Sequence, residues 1–427
     1  MKGILNVFQA MMLRWRELHP YNAVHAVAID PALGVDALQA AVRAELERCG
    51  LTGLVVDRRH GRYEYRGGPS AATISTVEGA RVIETLEAEI ERQLNAPFSD
   101  SASLDPFRFV RIHAPDGTML ALAYDHFVAG GDCIIALLHA IVARAKGETP
   151  SDAPPLLYPP TQGRLFLRNL GHLVGGLTRL PSLARSARTT ARPRYRDPCD
   201  GHNGYRLYIL PPPQATALVR NAQQWGVTLN DALLALLLDA VAPLAPERES
   251  ATRRRALAVA SIMNLRGEYG DTGSAAFGQF LGSLRVSHAV PAGIGLAALA
   301  RDVHAETARV KREKLYLQTL LAMRYVATVW RMLSRDQRAR FYAKSYPIWA
   351  GLSTLNVNAL WPRANESAPT PVYIRGVPTG PLAPLVMAVT TVGDALYAGI
   401  SFRTAAFRRE EIDNLWSGLT RKLASLS

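Results

Sequence analysis

Apolar and polar residues alternate through NAVHAVAID (22–30), which predicts a half-buried strand. In GVDALQAAVRAELERCG (34–50) the period lengthens. Leu38, Ala41, Val42 and Leu46 share one helical face, and Gly50 is placed to end the helix. GLVVDRRHGRYEYRGG reads as strand, turn, strand, and VIETLEAEIERQLNAPF as a helix stopped by Pro97. FRFVRIHAPDGTMLALAYDH predicts a hairpin turned at Pro115-Asp116-Gly117. The helix CIIALLHAIVARAKG follows, its apolar residues spaced for burial against that sheet.

A proline-rich stretch, ETPSDAPPLLYPP (148–160), reads as a linker. The same alternation of elements then resumes near Gly201. GYRLYILP is a strand, and PPPQATALVRNAQQWG a helix entered at prolines and left at glycine. VTLNDALLALLLDAVAPLA is a very apolar helix that Thr228 or Asn230 can cap. RALAVASIMNLR is a strand running into polar residues, and two long helical stretches occupy 292–312 and 316–345. GLSTLNVNALWP and LVMAVTTVGDALYAGISFR are strands, the latter a hairpin turned at Gly393-Asp394. REEIDNLWSGLTRKLASL is a closing amphipathic helix. The division expected is an N-terminal subdomain (1–160), a crossover (161–200) and a C-terminal subdomain (201–427).

The crossover carries Leu and Phe among arginines, with no acid from 161 until Asp197. It reads either as a helix packed across the junction with its arginines in solvent, or as an interfacial segment for an anionic membrane or an acidic carrier protein. The Gly175-Gly176 pair and Pro181 weaken any single long helix.

Charge narrows the partners. Lys and Arg outnumber Asp and Glu by 49 to 36, a net +13, which favours phosphate-bearing molecules, acidic proteins or anionic lipid. Nucleic acid is not expected, because no zinc-finger spacing, RNP-like run or heptad-linked basic region is present. No apolar run reaches the roughly 18–20 residues of a membrane span, and the N-terminus is too broken by charge for a signal peptide. Cys49, Cys133 and Cys199 lie far apart without metal-ligand spacing. A reducing, cytoplasmic setting is therefore expected, with peripheral contact to a membrane allowed and no metal. The chain lacks Walker and Rossmann glycine motifs, which argues against nucleotide hydrolysis and hydride transfer.

Candidate chemistry concentrates in YDHFVAGGDC (124–133). A strand runs into His126; Gly130 and Gly131 permit a tight turn; a helix follows that Asp132 can cap. Strand ends beside helix starts are where open α/β sheets place function. Histidine alone has an ordinary pKa near neutrality, which suits general-base work. Cys133 lies at a helix N-terminus, which would depress its pKa, and a Cys–His site competes there with a small buried thiol. His139 reads as packing or surface.

DHFVAGG (125–131) resembles the HHxxxDG motif of the condensation-domain and chloramphenicol-acetyltransferase-like acyltransferases. That superfamily includes nonribosomal peptide condensation domains, wax ester and diacylglycerol synthases, and BAHD enzymes. VTLNDALLALLLDAV, ASIMNLRGE (260–268), FGQFLGSLRV (277–286) and GDALYAGISFRTAAFRREEIDNL are similar to the superfamily in the same order. The resemblance implies an α/β fold of two similar subdomains in a pseudo-dimeric V shape, with a tunnel at their interface that His25 can face. It implies acyl transfer from a thioester, either coenzyme A or an acyl-phosphopantetheine carrier protein, to a hydroxyl or amine. No bound cofactor is expected. His126 would be the base, without a covalent nucleophile. Backbone N–H groups or Ser353, Thr354, Asn356 and Asn358 would meet the oxyanion.

Two positions depart from the motif. Its first histidine is Asp125, and its aspartate is Gly130. In the family that aspartate is paired with an arginine, matched here by Arg266, which follows Asn264 in the Asn-Leu-Arg element. Asp125 or Asp132 is expected to supply the missing carboxylate, because an unpaired buried guanidinium is costly. The alternatives are an amide-forming condensation enzyme of natural-product biosynthesis, and a degenerate, non-catalytic protein that binds a carrier or lipid.

Overall fold

The computed structural model describes residues 1–99, 104–149, 153–361 and 370–425. Residues 150–152 of the proline-rich stretch and the last two residues of the chain lie outside them. Two mixed sheets organise the chain. The first has the spatial order Tyr373–Gly376, Asn22–Ala28, Gly117–Asp125, Phe107–Ala114, Ile74–Glu78, and only the last pair is parallel. The second runs Leu281–His288, Leu257–Asn264, Ala350–Asn356, Leu385–Val392, Ala395–Arg403, Asn203–Leu210. Ala350–Asn356 is parallel to both of its neighbours there, and the other pairings are antiparallel. This is the expected two-subdomain α/β architecture.

The expected helices mostly form where periodicity placed them. Val35–Arg48 buries Leu38, Ala41, Val42 and Leu46, and Gly50 follows it at φ +66°, a backbone state that favours glycine. Leu229–Val241 is capped by Thr228, whose Oγ1 accepts from the Asp231 N–H at 3.2 Å; Asn230 lies inside the helix. That helix is buried nearly all round in the second core, which accounts for its very apolar composition. Among the described residues no single helix is long and apolar enough to cross a membrane.

Four expectations change. Asn22–Ala28 is buried on both faces, because Val82–Asn95 covers one side and the Met12, Ile134 and Leu138 core the other. The stretch 316–345 is two helices, Tyr316–Trp330 and Arg335–Ser345, divided where Ser334 caps the second. The crossover is three short helices, Gln162–Arg168, Leu170–Leu177 and Leu180–Thr189, rather than one. The strand Tyr373–Gly376 has no counterpart in the pattern reading. It leaves the second half of the chain to become an edge of the first sheet, Arg375 opposite His25.

That crossing strand is tightly enclosed. A side chain on Gly399 would overlap the Arg375 carbonyl and come within 2.6 Å of Tyr205 Oη. Gly399→Ala is expected to lower stability by about 1–3 kcal/mol through overpacking. Gly418 has open space around it on the helix Arg409–Ala424, so Gly418→Ala is expected to hold or raise the midpoint. Urea midpoints of the two variants side by side check this, and equal behaviour would contradict the enclosure.

Candidate active site

A cavity of about 510 Å³ opens between the two halves. The first half contributes Phe8, Met12, Tyr21, His25, Tyr124 and His126; the second contributes Gln279, Leu284, Met323, Phe341, Ser353 and Arg375. Leu183, Ala184 and Ala187 of the third crossover helix close one side. The cavity wall is mostly apolar, with a few polar groups gathered around His126.

His126 sits one residue past the strand Gly117–Asp125, and its N–H donates to Tyr21 O at 3.0 Å. Its ring lies between Tyr21 and Tyr124, each centroid 5.7 Å away. Gln279 fixes the turn. Its amide N donates to the carbonyls of His126 and Ala129, at 2.5 and 2.6 Å, and lies 3.2 Å from His126 Nδ1. Both amide hydrogens are thus taken by carbonyls, and none is left for Nδ1. The amide nitrogen has no lone pair to accept with, so it does not itself hold a proton on Nδ1; action as a base at Nε2 requires the neutral tautomer protonated at Nδ1. Nε2 has no protein partner among the described residues.

The charge state follows from the surroundings. Burial against the cavity wall, with Arg375 adding to it, lowers the His126 pKa to about 3. The same two causes, and His126 itself, hold His25 well below its ordinary value. His25 is fixed by Tyr373 Oη at 2.8 Å on Nδ1 and Tyr124 Oη at 3.3 Å from Nε2. Gly131 keeps that contact open, since a Cβ there would lie 3.3 Å from the His25 ring. At neutral pH the site holds two uncharged imidazoles beside one guanidinium.

Both departures from the motif are accommodated by ion pairs. Asp125 meets Arg16 Nη1 at 2.5 Å, both side chains buried. Burial pushes its carboxyl up to about 6, with Arg16 opposing the rise. Asp132 pairs with Arg266 through Nε, and Asn264 Nδ2 donates to the same carboxylate at 3.2 Å. Arg266 also donates to the carbonyls of Gly273 (2.7 Å) and Ala276 (2.6 Å) and lies over the Phe280 ring. The carboxylate has moved two residues along the turn, from position 130 to 132. Gly130 itself is the N-cap of the helix Gly131–Ala145, and its N–H donates to Gly278 O at 3.0 Å.

Several expectations need correction. The N-cap position is Gly130 rather than Asp132; Asp132 Oδ1 accepts from the first-turn Cys133 N–H at 3.0 Å while its carboxylate also pairs with Arg266. Cys133 is not activated, because burial, then Asp132, raise its thiol to about 11 despite the helix N-terminus. Of the oxyanion candidates only Ser353 lines the cavity. Thr354 is exposed and donates to Asn230 Oδ1 at 3.3 Å, and Asn356 is exposed at the strand end. Asn358 is bonded both ways to Gly393 at 2.8 Å. His139 packs edge-on against Trp361. Sequence reasoning missed Gln279 and Arg375; each is a lone polar residue inside an apolar run, FGQFLG and VYIRGV, and that interruption was the available signal.

The fold is that of condensation domains. Over the whole chain it matches the condensation domain of the Monacolin K polyketide synthase MokA at TM-score 0.70 and 12% identity, covering 100% of this chain and 97% of that one. It matches the first condensation domain of the calcium-dependent antibiotic synthetase, in complex with a substrate analogue, at 0.68 and 16%, covering 100% and 96%. It also matches SgcC5 from Streptomyces globisporus, in complex with (R)-(-)-1-(2-naphthyl)-1,2-ethanediol and sucrose, at 0.65 and 12%, covering 99% and 98%. At such identities the likeness is one of fold. No protein-family model and no curated protein matches the sequence.

The relocated ion pair makes a direct prediction. Asp132→Ala is expected to cost about 1.5–3 kcal/mol by leaving Arg266 without its carboxylate. Adding Gly130→Asp returns an acid to the motif position and is expected to recover part of that loss. On the native background Gly130→Asp is expected to destabilise, since its Cβ would lie 2.9 Å from Asp132 Oδ1 and bring two carboxylates together. Urea midpoints of the three variants test this; strict additivity would refute the relocation.

Proposed function

We propose that this protein transfers an acyl group from a thioester to a hydroxyl or amine, with His126 as general base. The observation that carries the reading is a neutral imidazole, fixed by Gln279, whose Nε2 has no protein partner and which lines a cavity built from both halves. The acceptor's proton passes to Nε2 as its oxygen or nitrogen attacks the thioester carbonyl. Collapse of the tetrahedral adduct breaks the C–S bond, and the thiolate takes up the proton from the imidazolium. The neighbours favour the same chemistry: condensation domains share the fold, and SgcC5 holds a diol. An amide product requires only that the nucleophile be an amine, so a natural-product condensation enzyme is one form of this reading.

The donor is an anionic pantetheine carrier. Arg185, Arg188 and Arg253 line a surface recess that shares Ala184 with the cavity wall. Phosphates of coenzyme A and the acidic face of a carrier protein both suit that recess. The crossover also leaves Leu167, Leu170 and Val174 exposed beside its arginines, a surface suited to donors delivered from an anionic membrane. A degenerate, non-catalytic role is disfavoured because Arg266 has kept a carboxylate.

Thioester consumption, measured with acyl-coenzyme A and with acyl-phosphopantetheinyl carrier protein, tests the reading. A folded His126→Ala is expected to lose about a hundredfold or more in kcat/KM; equal turnover would remove His126 as the base. Because the free-enzyme pKa is depressed to about 3, kcat/KM is expected to show no inflection near pH 6.5. The His126 contribution to stability runs the same way: the unfolded chain takes up a proton below about 6.5, so that contribution falls as the pH drops from there toward 3, while Asp125, raised to about 6, contributes in the opposite sense. An acid limb centred at 6.5 that persists in a still-folded Asp125→Asn would contradict the depressed pKa.

A further inference from the structure

The cavity carries a positive charge that the protein does not neutralise. Arg375 is 3% exposed and lines the wall together with His126. Its guanidinium donates to Thr390 Oγ1 at 2.9 Å, Ser353 Oγ at 3.2 Å, Ser353 O at 2.8 Å and Val389 O at 2.8 Å. All four acceptors are neutral, and none of the described carboxylates pairs with it. One N–H of Nη1 is left over from the five a guanidinium offers. Burial lowers its pKa to about 10, so it stays charged at neutral pH. The one acid on the cavity wall, Glu306, is already held by Arg309 at 2.7 Å.

Arginines elsewhere near the site have carboxylates: Arg16 has Asp125, and Arg266 has Asp132. Arg403 is buried without one, but it serves a loop, donating to the carbonyls of Pro198 and Asp200. Arg285 also lines the cavity; its Nη atoms are occupied by Ser186 Oγ and Thr190 Oγ1 at 2.7 and 2.6 Å on the crossover side, and its Nε is buried without a partner among the described residues. Arg375 is the more deeply buried of the two, acts on His126 directly and keeps a spare donor beside the Ser353 hydroxyl. A buried charge left unpaired costs several kcal/mol, and an anion in the cavity would offset that cost.

We propose that Arg375 and Ser353 bind the carboxylate of the acceptor, which is therefore a free hydroxy or amino acid with an apolar body. The carboxylate meets Nη1 and the Ser353 hydroxyl. The remainder lies along Phe8, Met12, Leu284 and Met323. An acceptor tethered to a carrier through its own carboxyl has that group masked as a thioester and presents no such anion. Placement of the nucleophile beside His126 rests on the acyl-transfer reading; the anion site does not.

The test is binding, by calorimetry at pH 7.5, of 10-hydroxydecanoate and of 1,10-decanediol, which differ in the carboxylate. The acid is expected to bind about tenfold to a hundredfold more tightly to the native protein. Arg375→Gln is expected to abolish that preference, Arg375→Lys and Ser353→Ala to reduce it, and Arg285→Gln to leave it unchanged. Should Arg375→Gln fail to fold, the native comparison with the Lys and Ser353 variants decides. Equal binding of acid and diol, binding of neither, or a preference that follows Arg285 instead would overturn the proposal. An inactive protein that still prefers the acid would refute acyl transfer and leave the anion site standing.

Discussion

The backbone of Arg375 belongs to one sheet and its side chain to the other, and the relation of the two halves depends on that division. The strand Tyr373–Gly376 pairs with Asn22–Ala28 in the first sheet. From there the guanidinium reaches back to Ser353, Val389 and Thr390 in the second. Tyr205 of the second sheet donates to the Arg375 carbonyl at 3.0 Å, and Gly399 is bare to let it approach. With its amide in one ladder and its charge solvated by the other, the residue ties the two sheets together at the cavity wall. The same strand brings Tyr373 to His25, so the second histidine is oriented by the device that joins the halves.

Charge in the cavity follows from this joint. Histidines in an apolar site lose their protons through desolvation, and a neighbouring guanidinium reinforces the loss. Neutral imidazoles are what a thioester reaction without a covalent nucleophile requires. The apolar wall that enforces neutrality also excludes the water that would hydrolyse the donor. The basic recess and the apolar cavity share Ala184 of the helix Leu180–Thr189, so a charged surface outside and an apolar wall inside have one boundary.

Much of the fold was legible because both sheets are fed by hairpins and capped helices whose signals are local: Gly50, Thr228, Gly393 and the Pro-Asp-Gly turn each end or begin an element where spacing placed them. What pattern could not show is long-range. Four residues of strand at 373–376 carry no periodicity of their own, and their partner is about 350 positions away. In the site, His126 stood out because a strand end, two glycines and a helix surround it. The carboxylate for Arg266 was narrowed to two candidates by charge balance, and geometry then separated them: Asp125 falls opposite Arg16, Asp132 on the first turn of the helix facing Arg266. A strand shows one face to the cavity, so of the oxyanion candidates on it Ser353 lines the wall and Thr354 is turned to the helix side.

A base held near pKa 3 is a weak base, and that weakness fits with the unpaired guanidinium beside it. General-base efficiency rises as the pKa of the base approaches the working pH. Of the two causes that depress His126, burial is permanent, but the charge of Arg375 can be cancelled. A carboxylate seated on Arg375 would remove the repulsion that an imidazolium feels there, and so raise the basicity of Nε2 at the moment the acceptor arrives. Without that anion, proton transfer to His126 would place two cations side by side in a low-dielectric cavity, which is costly. An acceptor lacking the carboxylate would then meet a weaker base. On the acyl-transfer reading, any water that enters carries no anion and would meet the same weak base.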